Sequence, residues 1–286
     1  MRWILGAIFL CVCAHSALAQ AQNLESQAER AFKARNLSGA IVLQDVRTGR
    51  LVATVSVGDG ADGLPLSAAK LILAAIYFEH RPDPPSSIAP DIDAIIARGL
   101  DLPGKQLAIA LRHALGDDVM LRDMLRFGYP ACTLRATDCT TLSSAESDGR
   151  WADAMSLGET DFRATPLGLS RFLLAVGNHG LNQSGDRIMR ATTAQQLQSA
   201  MLGTVRFGTA KSVQARLSGG VQMGGKTGTG PANSHPYDGL FAGLLFDRNG
   251  VARYTVVTCV RRGGFGAGAA AEISADVGTF AMKVQP

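Results

Sequence analysis

The run Gly224-Gly225-Lys226-Thr227-Gly228-Thr229-Gly230 constrains this chain more than any other segment. With Gly220 it satisfies G-x-x-x-x-G-K-[ST], the pattern of a phosphate-binding loop. Such a loop needs an apolar strand before it and a helix after it, because free N–H groups at the helix N-terminus hold the phosphates. Here Gln214-Ala215-Arg216-Leu217-Ser218-Gly219 precedes the run and makes a weak strand. Gly228-Thr229-Gly230-Pro231-Ala232-Asn233 follows it, and glycine and proline oppose a helix. Leu244-Leu245-Phe246-Asp247 could pass for a magnesium-binding strand end, but Asp247 opens the turn Asp247-Arg248-Asn249-Gly250, which carries the Asn-Gly hairpin signal. The run is therefore expected to be an extended strand, and no nucleotide is expected to bind it.

Lysine is scarce, with six residues against twenty-two arginines, so each lysine bears on the argument. Lys70 alone has a serine three residues before it, Ser67. On a helix this spacing stacks the two side chains on one face. A serine hydroxyl is a poor nucleophile until a base takes its proton. The sequence Ser67–Glu79 is apolar almost all round, which marks a buried helix, and burial makes a charged lysine costly and moves it toward a useful base. Ser67, at the helix start, would gain from the helix dipole as an oxyanion forms nearby. By itself S-x-x-K is weak, arising by chance about once in a chain of this length, and its bland reading is a helical serine with an exposed lysine.

Ser38–Val57 reads as a β-hairpin around Asp45-Val46-Arg47-Thr48-Gly49-Arg50. From Asp91 to about Ala200 the pattern is mostly helical: Ile92–Leu100, Leu107–Leu115, Val119–Phe127, Pro166–Gly177 and Thr193–Leu202. Gly239–Phe246 and Val251–Val260 form a second hairpin, and Ala269–Lys283 a closing helix. The order strands, helices, strands, helix predicts an α/β (α+β) chain. An antiparallel sheet built from both ends is flanked by helices and carries an inserted all-helical part.

The first nineteen residues read as a secretory signal, with Arg2 ahead of an apolar stretch and Ala17-Leu18-Ala19 as cleavage site. A single domain over 20–286 and an exported, periplasmic protein are expected. No later segment is apolar enough to span a membrane. Cys132 and Cys139 flank a short polar loop, and in an exported chain a local disulfide between them is expected. Cys259 lies in an apolar run and reads as a buried thiol. The formal charge of +4 is spread along the chain rather than clustered, so no nucleic-acid surface is expected. The five histidines are scattered, and neither metal nor cofactor is implied.

Together, Ser67-x-x-Lys70 and Lys226-Thr227-Gly228 resemble the motifs of the penicillin-binding protein transpeptidase and serine β-lactamase superfamily. Other pieces fall in that family's order over roughly 37–275: the hairpin Gly39–Ser56, the segment Ser156-Leu157-Gly158-Glu159 followed by Thr165-Pro166-Leu167-Gly168-Leu169-Ser170, then Gly208-Thr209-Ala210 and Gly239-Leu240-Phe241-Ala242-Gly243. The resemblance implies an α/β part over about 36–66 and 204–286 and a helical part over about 67–203. It implies that Ser67 is acylated by a peptidoglycan D-Ala-D-Ala stem peptide or by a β-lactam, with Lys70 as general base and Lys226 lining the site. Thr227 and Thr229 would hold the substrate carboxylate, Gly228 would admit substrate backbone, and the Ser67 and Thr229 backbone N–H groups would form the oxyanion hole. No protein partner is implied.

One element of that family, S-x-N, does not occur where the resemblance places it. After Leu111–Leu115 the chain reads Gly116-Asp117-Asp118. Asp117 or Asp118 could stand in for it, with His113 assisting, or the stretch is an ordinary loop with aspartate as helix cap. Ser147-Asp148-Gly149 is a second stand-in or a plain turn. Glu146 and Glu159 are the nearest bases for a water-activating, β-lactamase-type hydrolysis. Three functions therefore stay open: a D,D-transpeptidase or carboxypeptidase, a β-lactamase, and a catalytically impaired cell-wall binding relative.

Overall fold

The computed structural model describes residues 21–58, 65–81, 91–128, 147–158, 164–231 and 235–284. The expected signal (1–19), Cys132, Cys139, Glu146 and Glu159 lie outside them. Strands β1 (Ser38–Asp45) and β2 (Leu51–Val57) form the expected first hairpin. Its turn is held by Asp45, whose Oδ1 accepts from Thr48 N and Thr48 Oγ1, each at 2.7 Å. The run read as a strand is one: β3 spans Gln222–Gly230. β4 (Asp238–Phe246) and β5 (Ala252–Arg261) follow as the second hairpin. The sheet order is β2-β1-β5-β4-β3 with antiparallel pairing throughout. The β1–β5 pairing, with Val42 opposite Val257, joins the two ends of the chain, and β3 is left at one edge.

Both faces of the sheet are covered, and β4 shows why its sequence is nearly all apolar. Leu240, Ala242, Leu244 and Phe246 enter the core on one face, while Phe241 and Leu245 enter the core on the other. The first core is filled by α2 (Ala69–His80), α7 (Pro166–Gly177) and α8 (Ala191–Arg206). The second is filled by a helix over 21–33, α1, and by α9 (Ala269–Val284). α1 escapes the strand-and-helix reading above. Its buried residues Leu24, Ala28, Ala31 and Phe32 sit at i, i+4, i+7 and i+8, the spacing of an amphipathic helix.

The remaining helices are α3 (Ile92–Arg98), α4 (Asp101–Leu115), α5 (Asp117–Arg126) and the short α6 (Asp148–Ala152), which widens into a π turn over Asp153–Leu157. α7 has the span expected of it: Thr165 Oγ1 accepts from Gly168 N at 3.0 Å and Pro166 opens the first turn. α4 starts six residues before the expected Leu107, at Asp101. Pro103 is tolerated there because a first-turn N–H has no intrahelical partner to lose. Cys259 on β5 is a free, partly buried thiol, pushed up to about 12 by burial. Among the described residues no helix is long and apolar enough to cross a membrane.

Candidate active site

Leu66–Ala68 forms a single 3-10 turn that runs straight into α2. Leu66 adopts φ 50°, in the left-handed region, which costs a residue with a Cβ roughly 1–2 kcal/mol. Strain of this kind persists only where the surroundings over-determine it, and here two glycines do so. Any side chain on Gly158 would strike the Leu66 carbonyl, and a methyl on Gly228 would lie 2.8 Å from Leu66 Cβ. Leu66 is thus pinned between the end of the π turn and β3, which fixes the backbone from which half-buried Ser67 projects.

Ser67 Oγ lies 3.0 Å from Lys70 Nζ, as one helical turn requires. Lys70 is buried completely. Its Nζ also donates to Ser156 O at 2.7 Å and Asp101 Oδ1 at 2.8 Å. Ser156-Leu157-Gly158, singled out in the sequence only by resemblance, therefore has two physical tasks: its serine carbonyl holds the lysine and its glycine holds Leu66.

β3 brings the second group of expected residues to the same place. Lys226 is buried, and its Nζ donates to Thr227 O at 2.7 Å. Burial, and then the charge of Lys70, bring its amine down to about 7, against the opposing pull of Asp101. Alternate residues of an edge strand turn their N–H and C=O away from the sheet. Gly225 O accepts from Thr204 Oγ1 at 2.6 Å, and Thr227 O from Lys226, so the odd-numbered residues face outward. Thr229 shares that parity, which leaves its N–H on the open edge. The Thr227 hydroxyl shares one bond with Thr209 Oγ1 at 2.8 Å. Thr229 Oγ1 accepts from Gly266 N at 3.0 Å, so its own proton stays free to donate.

A third wall comes from the corner between α3 and α4. Gly99, at φ 67°, sits where a methyl would lie 3.3 Å from Lys226 Nζ. A methyl on Gly104 would lie 2.5 Å from Ser156 Oγ and 3.1 Å from Lys70 Cε. Asp101, between them, supplies the carboxylate that meets Lys70.

Asp117 and Asp118, the expected stand-ins for the third element, are placed otherwise. Asp117 is held by Arg112 Nε at 2.8 Å and Nη2 at 3.2 Å, which lowers its carboxyl below the usual range. Asp118 is exposed at the start of α5. His113 meets Asp148 at 3.0 Å. Ser147 caps α6, accepting from Arg150 N at 3.3 Å. The sequence did carry a sign of the α3–α4 corner. Gly99 stops one helix, and an acidic residue with a proline two positions on opens the next.

Searches by sequence found no matching family model and no matching curated protein. Solved structures do match. The transpeptidase domain of a D,D-transpeptidase from Legionella pneumophila superposes with a TM-score of 0.69 at 23% identity, over 91% of this chain and 95% of that one. A peptidoglycan glycosyltransferase from Burkholderia ambifaria gives 0.73 at 17% identity, over 92% and 95%. The D,D-transpeptidase domain of a peptidoglycan glycosyltransferase from Eggerthella lenta gives 0.66 at 18%, over 91% and 80%. The fold is that of penicillin-binding transpeptidase domains. In the transpeptidase fold seen here, the start of α2, the edge strand β3 and the α3–α4 corner enclose Ser67, Lys70, Lys226 and Asp101.

Proposed function

We propose that this protein is a serine acyl-transferase of the penicillin-binding type, acting on D-Ala-D-Ala stem peptides of peptidoglycan and acylated by β-lactams at Ser67. The observation that carries the proposal is the 3.0 Å approach of Ser67 Oγ to a lysine with no exposed surface, opposite an edge strand bearing Lys226, Thr227 and Thr229. Lys70 takes the serine proton as Oγ attacks the substrate carbonyl. The Ser67 and Thr229 N–H groups receive the oxyanion. The Thr227 and Thr229 hydroxyls bind the substrate carboxylate, and Lys226 adds positive potential when protonated. The C–N bond then breaks, and water or an acceptor amine releases the acyl group. The leader-like residues 1–19 support an exported, periplasmic protein.

Intact mass of the protein after incubation with a chromogenic cephalosporin tests this reading. A lasting adduct on wild type that is absent from Ser67→Ala is the expected result. Rapid drug hydrolysis without an adduct would move the chain to the β-lactamases. No adduct and no hydrolysis at millimolar drug would refute acyl transfer and leave a cell-wall binding role.

A further inference from the structure

Lys70 Nζ and Asp101 Oδ1 lie 2.8 Å apart, and the two side chains differ sharply in access: the lysine is 0% exposed and the aspartate 61%. A base with no exposed surface can take the proton of Ser67 but has no open path to a leaving nitrogen in the cleft. Asp101 spans that gap, with one oxygen on the buried Lys70 Nζ and more than half of its side chain exposed. The ordinary reading of an aspartate in a helix first turn is that it caps the helix or faces its dipole. α4 has no side-chain cap, and Asp101 Oδ1 is directed at Lys70 instead. The close packing that brings it there depends on Gly104, where a side chain would collide with Ser156 and crowd Lys70.

We propose that Asp101 is the second acid–base group of this site, carrying the proton from Lys70 to the leaving amine; this rests on the acyl-transfer reading of Ser67. With Lys70 as the neutral amine, the proton of Ser67 passes to Lys70 Nζ as Oγ bonds to the acyl carbon, and the ammonium so formed passes a proton to the Asp101 carboxylate. When the C–N bond breaks, the nitrogen keeps the bonding pair and takes the proton from Asp101. Lys70 is left as amine, Asp101 as carboxylate, and the sum is Ser–OH plus amide giving Ser ester plus free amine. Among the described residues, the charged groups near Asp101 include Lys70 from α2, Lys226 from β3, and, one turn along α4, Lys105, which is itself paired with Asp153 at 2.7 Å.

The leaving group separates this role from a structural one. A β-lactam nitrogen needs a proton to depart, whereas the thiolate of a D-alanyl thiolester does not. In Asp101→Asn, acylation by the β-lactam should fall about 100-fold or more, while acylation by the thiolester stays within about threefold of wild type. Asp101→Glu should restore most of the β-lactam rate and Asp101→Ser only part of it, with thermal melts confirming that each variant is folded. Equal loss with both substrates would reduce Asp101 to holding Lys70 in place and overturn the proposal. No loss with either substrate, or faster acylation than wild type, would overturn it too. A wild type inert to both substrates would instead refute acyl transfer itself, and this inference with it.

Discussion

Two lysines are buried within one site, and the protein accommodates them differently. Lys70 is given acceptors: a serine hydroxyl, a backbone carbonyl and a carboxylate. Lys226 is given little beyond the Thr227 carbonyl, and its amine falls to about 7. That fall has a thermodynamic sign. An unfolded lysine titrates near 10.5, so between about 7 and 10.5 the unfolded chain binds more protons than the folded one. Stability from this group therefore rises with pH across that window, by about 1.4 kcal/mol per pH unit, and is lowest below it. Urea unfolding of wild type and Lys226→Met at several pH values between 7.5 and 9.5 measures this. Wild type should gain on the variant as pH rises, and a flat difference would show that Lys226 is not depressed.

Between elements, the site is held by glycines at points of contact as well as by hydrogen bonds. Gly158 carries both burdens: φ 64°, and a backbone approach to Leu66 that leaves no room for a methyl. Gly158→Ala should destabilise the protein by about 2–4 kcal/mol, combining left-handed strain with overpacking, and should slow Ser67 acylation beyond what the melt explains. Gly228→Ala, which meets the side chains of Leu66 and Leu240 rather than backbone, should cost less, about 1–3 kcal/mol. If the two variants label at the wild-type rate, the Leu66 clamp does not position Ser67. These contacts were not legible in the sequence. Leu157-Gly158 stands out in the sequence by resemblance, but which backbone it touches depends on how the π turn docks against the 3-10 turn.

Across the whole molecule, the sheet separates the site from a second core. Phe32 of α1 lies in that core with no exposure, and its ring packs where a methyl on Gly39 of β1 would lie 2.8 Å away. Phe32→Ala should lower unfolding free energy by roughly 3–5 kcal/mol while leaving the rate of drug labelling of the folded protein unchanged. A parallel loss of labelling would mean that the two cores are coupled through the sheet.

The sequence by itself determined the elements and their chemistry. The 224–230 run had to be extended because its glycines and proline deny a helix, Pro166–Gly177 was bounded by its own cap and proline, and S-x-x-K placed a hydroxyl over an amine through helix geometry alone. These are local properties, set within one or two turns of chain. Tertiary structure decided which charges meet. Asp101 and Asp117 are both acidic residues in helix first turns, and nothing local distinguishes them. One faces Lys70 because Gly104 lets α4 close on α2, and the other is held by Arg112 from the turn before it. Pairing over distance depends on packing, and packing is a property of the assembled core.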